Sequence, residues 1–143
     1  MMERSDRSDR QIAEIAEIER QCFATPWTDD QIRNSDDSTV FFLAKAEGKT
    51  VGYGGMDTVL DEGYVTIIGV LPAWRRKGIG AKIVKQLIDF SIEKHLAFLS
   101  LEVRVSNTAA ITLYEKFGFE RVGLRKNFYH APKEDALIMT RYF

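Results

Sequence analysis

A short segment rich in arginine, lysine and glycine has the residue types that hold a phosphate or pyrophosphate group. This segment is Arg75–Gly80, and it lies between a predicted strand and a long predicted helix. The first turn of a helix presents unpaired backbone N–H groups and the positive end of the helix dipole, and glycines allow an anion to approach closely. Between Gly63 and Ile88 there are five basic residues and no acidic residue. The pattern predicts an anion site, with a solvated turn between basic helix ends as the alternative.

The glycine spacing separates this segment from two common phosphate-binding motifs. A Walker loop requires lysine and then serine or threonine directly after its last glycine, whereas Ala81 and Lys82 follow Gly80 here. A dinucleotide-binding fold has its glycine-rich turn early in a repeated strand–helix–strand pattern, whereas three consecutive predicted strands precede this segment. Both motifs are disfavoured, and the pattern Arg-x-x-Gly-x-Gly remains.

Two further residues have side chains suited to proton transfer. Glu102 lies on the polar face of an alternating stretch, where its carboxylate is either a solvated group paired with Arg104 or a proton acceptor. An unperturbed glutamate has a pKa of about 4.3, so as a base it would need burial, a like charge or a water relay. Tyr114 lies among apolar neighbours on a predicted helix, where a buried aromatic with a satisfied hydroxyl is the simplest interpretation. The residues alone leave both roles open.

Gly69 interrupts an apolar predicted strand, which costs strand stability. A bulge or a close approach of a ligand to the backbone would explain it, and a glycine required by packing is the alternative. A strand edge opened by a bulge would leave N–H groups free to pair with an amide-bearing ligand and to polarise a carbonyl.

The elements that must position these groups follow the α+β order helix, helix, three strands, helix, strand, helix, two strands. Helices are predicted over Arg10 to Cys22, Thr28 to Ser35, Ile79 to Lys94 and Asn107 to Lys116. Strands are predicted over Thr39 to Ala46, Thr50 to Leu60, Tyr64 to Leu71, Phe98 to Val105, Phe119 to Leu124 and Asp135 to Arg141, the first three as an antiparallel meander. Residues 1–9 are too polar to pack, so we expect a flexible tail followed by one domain over residues 10–143.

The composition of the chain excludes several classes of protein. Its 143 residues, 45% of them apolar, suit one domain with a sizeable core, and a net charge of −1 argues against nucleic-acid binding by phosphate neutralisation. With one cysteine, Cys22, and two histidines, neither a disulfide framework nor a metal site is expected. The sequence lacks a long apolar run, which favours a cytoplasmic enzyme or binding module. Trp27 and Trp74 are expected to be packing residues.

These motifs together resemble the GNAT superfamily of acetyl-CoA-dependent N-acetyltransferases, whose signature is Arg-x-x-Gly-x-Gly. The chain is similar to its RimI branch, the ribosomal-protein alanine N-acetyltransferases, through Glu19–Phe23, Pro26–Thr28, Leu101–Asn107, Leu113–Phe119 and Glu134–Ala136, with Arg125 and Tyr129. The resemblance covers roughly residues 10–140. It implies the GNAT fold, a mixed, mostly antiparallel sheet flanked by about four helices, and acetyl-CoA as the acetyl donor. The chain departs from the branch at Phe128, where relatives often carry tyrosine. The resemblance therefore implies an acceptor pocket that lacks this hydroxyl group, a difference that bears on which acceptor is preferred.

The resemblance also implies roles for individual residues. It makes Glu102 the general base and Tyr114 the general acid. The residues that it implies contact the cofactor are Ile68, Gly69, Val70, Arg76, Lys77, Gly78, Ile79, Gly80, Ala81 and Asn107. It assigns no metal and no second cofactor.

The acceptor is expected to be a cationic peptide terminus. Residues 1–37 contain ten acidic and five basic side chains, and in this superfamily the first helices border the acceptor groove, so Asp29 and Asp36 are candidate groove residues. Tyr129, His130 and the loop containing Pro132 are candidates for the opposite wall. Solvated helical faces are the alternative interpretation of the acidic segment.

The RimI resemblance implies a particular acceptor, the N-terminal alanine of small-subunit ribosomal protein eighteen. An α-amine titrates near 8 and a lysine near 10.4, so a modest carboxylate base suits the terminus better. The alternatives are acetylation of a lysine or of a small-molecule amine, and a non-catalytic acyl-CoA-binding regulatory domain. Neither nucleic-acid nor membrane binding is expected, and the sequence leaves the oligomeric state open.

Overall fold

A computed structural model of the chain describes residues 1–35 and 38–143. The helices in these ranges are α1 Asp9–Cys22, α2 Asp29–Arg33, α3 Ile79–Glu93 and α4 Thr108–Lys116. The strands are β1 Met2–Arg4, β2 Thr39–Ala46, β3 Lys49–Val59, β4 Glu62–Val70, β5 Phe98–Arg104, β6 Glu120–His130 and β7 Lys133–Tyr142. A 3-10 turn over Pro72–Trp74 connects β4 to the segment before α3.

The strands form one sheet in the order β1-β2-β3-β4-β5-β7-β6. Every neighbouring pair is antiparallel except β4 and β5, which run parallel. The α+β class, the opening meander and a mixed, mostly antiparallel sheet flanked by about four helices are confirmed. Because a parallel pair needs a crossover connection, α3 lies between β4 and β5 in the chain.

The parallel pair β4–β5 is short and divides the sheet. It contains only the pairs Glu62↔Phe98, Gly63↔Leu99 and Tyr64↔Ser100. Beyond them the two strands line opposite sides of a cleft. At the closed end, the rings of Tyr64 and Phe98 are 5.8 Å apart, and those of Phe98 and Tyr142 are 6.2 Å apart. This aromatic row holds the two halves of the sheet together where the cleft begins.

A β-bulge lies in β4, at a different residue from the one that the sequence indicates. Gly55 pairs with Ile67 and Met56 pairs with Val65, so Thr66 is the extra residue. Gly69 pairs regularly with Tyr53, and a Cβ added there would lie 3.3 Å from the Ile18 side chain. Gly69 is therefore a packing glycine, and the hypothesis of a bulge at this residue is wrong.

Two hydrophobic clusters lie on the two faces of the sheet. The larger packs α3 against the strands, with Ile83 and Leu87 fully buried. The smaller packs α1 and α2 against β2 and β3, with Ile15, Ile18 and Ile32 at its centre. The boundaries of α3 and α1 agree with the apolar spacing of the sequence because each helix has one wide apolar face.

The first residues do not form the expected flexible tail. Met2–Arg4 is strand β1, which pairs antiparallel with β2 through Met2↔Ala44 and Arg4↔Phe42. The backbone bonds to the edge of β2 need no alternation of apolar side chains, so the pattern could not reveal them. The Arg4 guanidinium also lies 5.5 Å from the centre of the Phe90 ring. The prediction that residues 1–9 are a tail is wrong for this strand.

The hairpin β6–β7 extends further than predicted. We expected strands over Phe119–Leu124 and Asp135–Arg141, whereas β6 continues to His130 and β7 begins at Lys133. The register shifts between Arg125 and Tyr129, where Asn127 has a φ of 54° and its N–H donates to Asp135 Oδ1 at 2.8 Å. The shift and the exposed polar residues conceal the strand alternation, so His130 lies in a strand rather than in the predicted loop.

Truncating a buried residue of α3 should destabilise the protein far more than truncating an exposed one. Ile83 is fully buried, whereas Ile92, also on α3, is 50% exposed. We expect Ile83→Ala to lower the free energy of unfolding by about 2–5 kcal/mol because it leaves a cavity. The matched control Ile92→Ala should change it by no more than about 0.5 kcal/mol. Urea unfolding followed by circular dichroism measures both, and equal losses would contradict this packing.

Candidate active site

The loop before α3 has the geometry of an anion-binding turn. Gly78, the N-cap residue, has a φ of 80° in the left-handed region, and Arg76 also has a positive φ, of 63°. Alternating left- and right-handed residues point successive N–H groups into one concavity. No side chain caps α3, whose first-turn N–H groups lack acceptors within the helix. The loop therefore presents several N–H donors and a dipole end to one anion.

Arg75 has a different role from the other basic residues of this loop. Its Nε donates to the carbonyl of Val70 at 3.0 Å, and its Nη2 lies 3.6 Å from the sulfur of Cys22. Cys22 also donates to the Val70 carbonyl, at 3.3 Å. These contacts attach the end of β4 to the end of α1.

A cleft of about 470 Å³ extends from this loop between β4 and α4. It brings together nine of the ten predicted cofactor residues, namely Ile68, Gly69, Val70, Arg76, Gly78, Ile79, Gly80, Ala81 and Asn107. Lys77 is not among the lining residues, and its Nζ lies 5.2 Å from the centre of the Trp74 ring. Asn107 also caps α4, since its side chain accepts from the Ala110 N–H at 3.2 Å.

Several residues that the sequence did not indicate also line this cleft, namely Cys22, Phe23, Trp74, Ala109, Ala110 and Leu113. Arg75, the first residue of the predicted anion segment, lines it as well. Trp74, expected to be a packing residue, packs partly against the core but also faces the cleft between Lys49 and Lys77, whose Nζ atoms lie 5.6 and 5.2 Å from its ring centre. The position of Trp74 just before the basic loop is the one feature of the sequence that could have predicted its contact with the cleft.

A second cleft, of about 650 Å³, lies between the diverging strands and contains both candidate catalytic residues. Glu102 and Tyr114 line it together with Arg125, Phe128 and Tyr129. The two clefts share Phe23, Ile68, Asn107 and Tyr114 as lining residues, so they are continuous. A donor in the first cleft and an acceptor in the second would meet beside Tyr114.

Glu102 pairs with an arginine other than the one expected. Its Oε1 lies 3.0 Å from the Nε of Arg125 on β6, and its side chain is 30% exposed. Arg104 instead pairs with Glu134 at 3.2 Å. Arg125 lies on a distant segment of the chain, and spacing along one strand could not indicate this partner. The pair fixes one carboxylate oxygen and leaves the group within reach of the cleft.

Tyr114 keeps its proton over the whole physiological range. Burial, with a smaller contribution from the nearby Tyr129, raises the pKa of Tyr114 to about 12. Its ring packs 5.8 Å from that of Phe119, which fixes its direction on α4. A neutral phenol at the junction of two clefts is a proton donor rather than a base.

Tyr129 forms the wall of the cleft opposite Tyr114. Burial and the carboxylate of Glu102 raise the pKa of Tyr129, while the Arg104 guanidinium, 4.2 Å from its ring centre, opposes the shift. His130 and Pro132, predicted for the same wall, do not line the cleft. Of the three predicted residues, only Tyr129 reaches the site.

The acidic residues of the N-terminal segment are largely paired with neighbouring bases. Arg33 contacts Asp30 at 2.8 Å and Asp9 at 3.4 Å, and Arg20 contacts Glu17 at 2.6 Å. Asp29 lies in the first turn of α2, where it complements the helix dipole. The other predicted groove residue, Asp36, lies outside the described residues. Asp9, Glu17, Asp29 and Asp30 thus have local structural roles.

The described residues contain no group of three or more histidine, cysteine, aspartate or glutamate side chains that could hold a metal ion. Within the same ranges, no helix has both the length and the apolar character needed to cross a membrane.

The fold and the site define a group-transfer enzyme: an anion loop at the end of a split sheet opens into a cleft lined by a carboxylate and a neutral phenol. Residues 11–119 match the family model described as "Acetyltransferase (GNAT) family", and the chain belongs to this family. It is therefore an acetyltransferase that uses acetyl-CoA.

Individual relatives place the chain more narrowly, in the RimI branch. It is 37% identical over 125 residues to a putative [ribosomal protein bS18]-alanine N-acetyltransferase of Bacillus subtilis, covering 85% of this chain and 83% of that one. The crystal structure of the ribosomal-protein-S18-alanine N-acetyltransferase from Escherichia coli matches with a TM-score of 0.88 and 33% identity, covering 99% and 94%. A GNAT acetyltransferase from Elizabethkingia anophelis, solved with acetyl-CoA bound, shares the fold with a TM-score of 0.72 and 22% identity, covering 81% and 84%.

An ion pair at the β6–β7 hairpin should make the stability of this wall depend on pH. Hydrogen bonds from Ser106, helped by the Arg104 guanidinium, lower the pKa of Glu134 below 4.5. A carboxyl group whose pKa is lower in the folded state stabilises that state at pH values above its pKa in the unfolded chain. This stabilisation disappears as the pH falls through the pKa of the group in the folded state. Glu134→Gln should therefore lower the thermal midpoint at pH 7, and the difference from the parent should shrink below pH 4.5.

Thermal unfolding between pH 3 and pH 7, monitored by circular dichroism, is the measurement. Glu120→Gln, which removes an exposed carboxylate from the start of β6, is the matched control. A difference between Glu134→Gln and the parent that stays constant over this range would contradict the role of the Glu134 charge.

Proposed function

We propose that the chain acetylates the N-terminal α-amino group of a ribosomal protein, with the alanine terminus of small-subunit protein eighteen as its acceptor. The observation that carries the proposal is the pair Glu102 and Tyr114 on the walls of one cleft that is continuous with the anion loop. The relatives named for this acceptor, 37% identical to the chain, support it. The proposal treats residues 10–143 as one catalytic domain working in the cytoplasm, where ribosomal proteins are made.

The first cleft suits the shape and charge of the donor. Acetyl-CoA supplies an acetyl group activated as a thioester. The N–H groups from Gly78 to Ala81 would hold its pyrophosphate, with Arg76 adding positive charge. Gly80 leaves room beside this turn, since even an added Cβ would meet nothing closer than Leu113 at 3.8 Å. Lys77, held over Trp74, would contribute through its charge rather than by contact.

The pantetheine arm would lie along the free edge of β4. Past Tyr64, β4 and β5 no longer pair, so the edge of β4 that faces the cleft offers backbone groups to a ligand. Ile68, Gly69 and Val70 line the cleft there. The Val70 carbonyl already accepts from Arg75 and Cys22, so Ile68 and Gly69 are the better candidates for amide bonds to the arm. Asn107 would touch the arm from the opposite wall.

Glu102 would accept the proton that the acceptor amine loses. Arg125 holds one carboxylate oxygen at 3.0 Å, which orients the group towards the cleft. The pKa of an α-amine is about 8, so on the order of a tenth is already neutral at pH 7, against well under a thousandth for lysine. A carboxylate, acting directly or through a water, can therefore deprotonate an α-amine more easily than a lysine. This favours a terminal amine as the acceptor.

Tyr114 would donate the proton that the departing thiolate requires. The pKa of a thiol is about 8.5, and a phenol at the meeting point of the clefts can supply its proton at neutral pH. With its pKa raised to about 12, Tyr114 is protonated at neutral pH, so its O–H can donate to the sulfur as the thiolate departs. The phenolate would then be restored to a phenol from solvent or through Glu102.

The acceptor can be tested by measuring the thiol released from acetyl-CoA. One peptide carries a free N-terminal alanine and no lysine; the other is blocked at its terminus and carries one lysine. We expect rapid thiol release with the first peptide only, because the neutral fraction of the α-amine is larger. Release with the lysine peptide alone would overturn the proposed acceptor, as would release with neither peptide despite binding of acetyl-CoA.

The catalytic pair can be tested with conservative variants on the free-terminus peptide. We expect Glu102→Gln and Tyr114→Phe each to lower kcat by about 10²–10⁴-fold with little change in acetyl-CoA affinity. The loss of kcat in Glu102→Gln should be smaller at pH 9, because most of the α-amine is already neutral at that pH and needs no base. Tyr142→Phe, on an exposed tyrosine, is the matched control for the phenol. Unchanged kcat in Tyr114→Phe would remove its role as the acid.

A further inference from the structure

The end of the β6–β7 hairpin projects past the strand beside it. Strand β5 ends at Arg104, which pairs with Ala136 on β7, so the pairing between these strands stops there. Residues 129–134 lie beyond this point, and we call them the hairpin tip. Most of the tip is exposed, so apolar burial contributes little to its position. Because Tyr129 in the tip lines the cleft that contains the candidate base and acid, other contacts must fix this wall.

The edge of the Arg104 guanidinium binds the backbone of the hairpin tip. Its Nη1 donates to the Pro132 carbonyl at 2.8 Å, and its Nη2 donates to the Ala131 carbonyl at 3.2 Å. The same Nη1 donates to Oε1 of Glu134 at 3.2 Å. An arginine can serve three acceptors at once because its N–H donors lie in one plane in a fixed geometry. One side chain of β5 therefore holds the turn that joins β6 to β7.

The face of the same guanidinium lies over the ring of Tyr129. The Arg104 Cζ is 4.2 Å from the ring centre, whereas the other contacts between a cation and an aromatic ring in the described ranges measure 5.2–5.7 Å. A planar guanidinium stacks on an aromatic face in a way that an ammonium group does not. The Phe128 ring meets the Tyr129 ring at 90°, with 5.0 Å between the centres. The position of the Tyr129 ring thus depends on a group that is itself bound to the turn.

Glu134 connects this arrangement to the start of α4. Its Oε2 accepts from the Ser106 N–H at 2.7 Å, and Ser106 directly precedes Asn107, the N-cap residue of α4. The side chains of Arg104 and Glu134 are 28% and 16% exposed, so solvent screens their ion pair less than a fully exposed one. The hairpin tip is therefore fixed relative to β5 and α4, the two elements that carry the candidate base and acid.

We propose that Arg104 is a positioning residue for the acceptor, because it holds the Tyr129 ring and the hairpin tip at a fixed distance from Glu102. The inference rests on the proposed acetylation of a peptide terminus and adds a residue that determines how the acceptor is bound. The contacts of Arg104 with the turn and with the Tyr129 ring already use its edge and one face, so it acts through Tyr129. The planar shape of the guanidinium, more than its charge, gives it this role.

Replacing Arg104 should weaken binding of the acceptor and leave binding of the donor unchanged. Arg104→Met keeps an unbranched stem but removes the planar group. With a peptide that has a free N-terminal alanine, we expect KM to rise about tenfold and kcat to change by less than about threefold, because the lost contact acts equally before and in the transition state. The Kd of acetyl-CoA, measured by calorimetry, should not change, since Arg104 does not line the donor cleft. An unchanged KM, or an equal loss of acetyl-CoA affinity, would overturn the inference.

Two further variants separate the planar shape from the charge. Arg104→Lys keeps a positive charge beside Glu134 and remains informative if Arg104→Met does not fold. We expect it to raise KM as well, and the KM of the parent in this variant would overturn the role of the planar group. Glu134→Gln removes the ion pair but keeps an oxygen that accepts from Ser106, so it should lower the thermal midpoint and leave KM close to that of the parent. A KM raised as much as in Arg104→Met would assign the effect to the ion pair instead.

A double-mutant cycle connects the effect of Arg104 to Tyr129. Tyr129→Leu removes the ring, and in this background Arg104→Met should raise KM by no more than about twofold. Equal increases of KM in the parent and in Tyr129→Leu would overturn the assignment. Arg121→Met, which removes an exposed arginine paired with Glu115, is the matched control and should leave KM unchanged. A parent protein that acetylates no free-terminus peptide would overturn the proposed function, whereas an active parent whose KM does not depend on Arg104 would overturn this inference alone.

Discussion

The short parallel contact between β4 and β5 is the constraint on which the rest of the structure depends. It ends at the pair Tyr64↔Ser100, after which the strands diverge. A parallel pair requires a crossover, and the crossover helix α3 must begin near the carboxyl end of β4. Helix α4 begins after β5 at the same open end. Two helix N-termini, capped by Gly78 and Asn107, therefore face one space, which is where ligands bind in folds that contain parallel strands.

The strand β4 connects the two clefts that the proposed reaction uses. Its free edge borders the donor cleft, and its middle residues, including the bulge residue Thr66, border the acceptor cleft. Phe23, at the end of α1, lines both clefts. The chemistry needs donor and acceptor to meet at one point, and a single strand with one irregularity provides that meeting point. Glu102 and Tyr114 come from the opposite wall, formed by β5 and α4.

Local features of this protein could be predicted from the sequence, and long-range features could not. The amphipathic spacing of α3 and the glycines of the anion loop depend on neighbours in the chain, and both agree with the structure. Strand β1 depends on backbone bonds to β2, and the partner of Glu102 is Arg125 from a distant strand, so neither leaves a pattern in its own segment. The bulge falls at Thr66 rather than at Gly69 because register is set by two strands together. Trp74 carries both packing and cleft contacts, which residue type alone does not distinguish.

The aromatic row Tyr64, Phe98 and Tyr142 lies at the point about which the two halves of the split sheet could turn. It stands at the closed end, where the two halves are joined by few strand pairs. With a rise of about 3.3 Å per residue, the part of β4 beyond Tyr64 is a lever about 20 Å long. If the half of the sheet that contains β3 and β4 rotated by about 5° at the row, the Val70 end of β4 would move by about 2 Å, roughly the van der Waals radius of a methyl group. A small change in sheet twist at the row would therefore change the width of the gap between β4 and β5 at the open end.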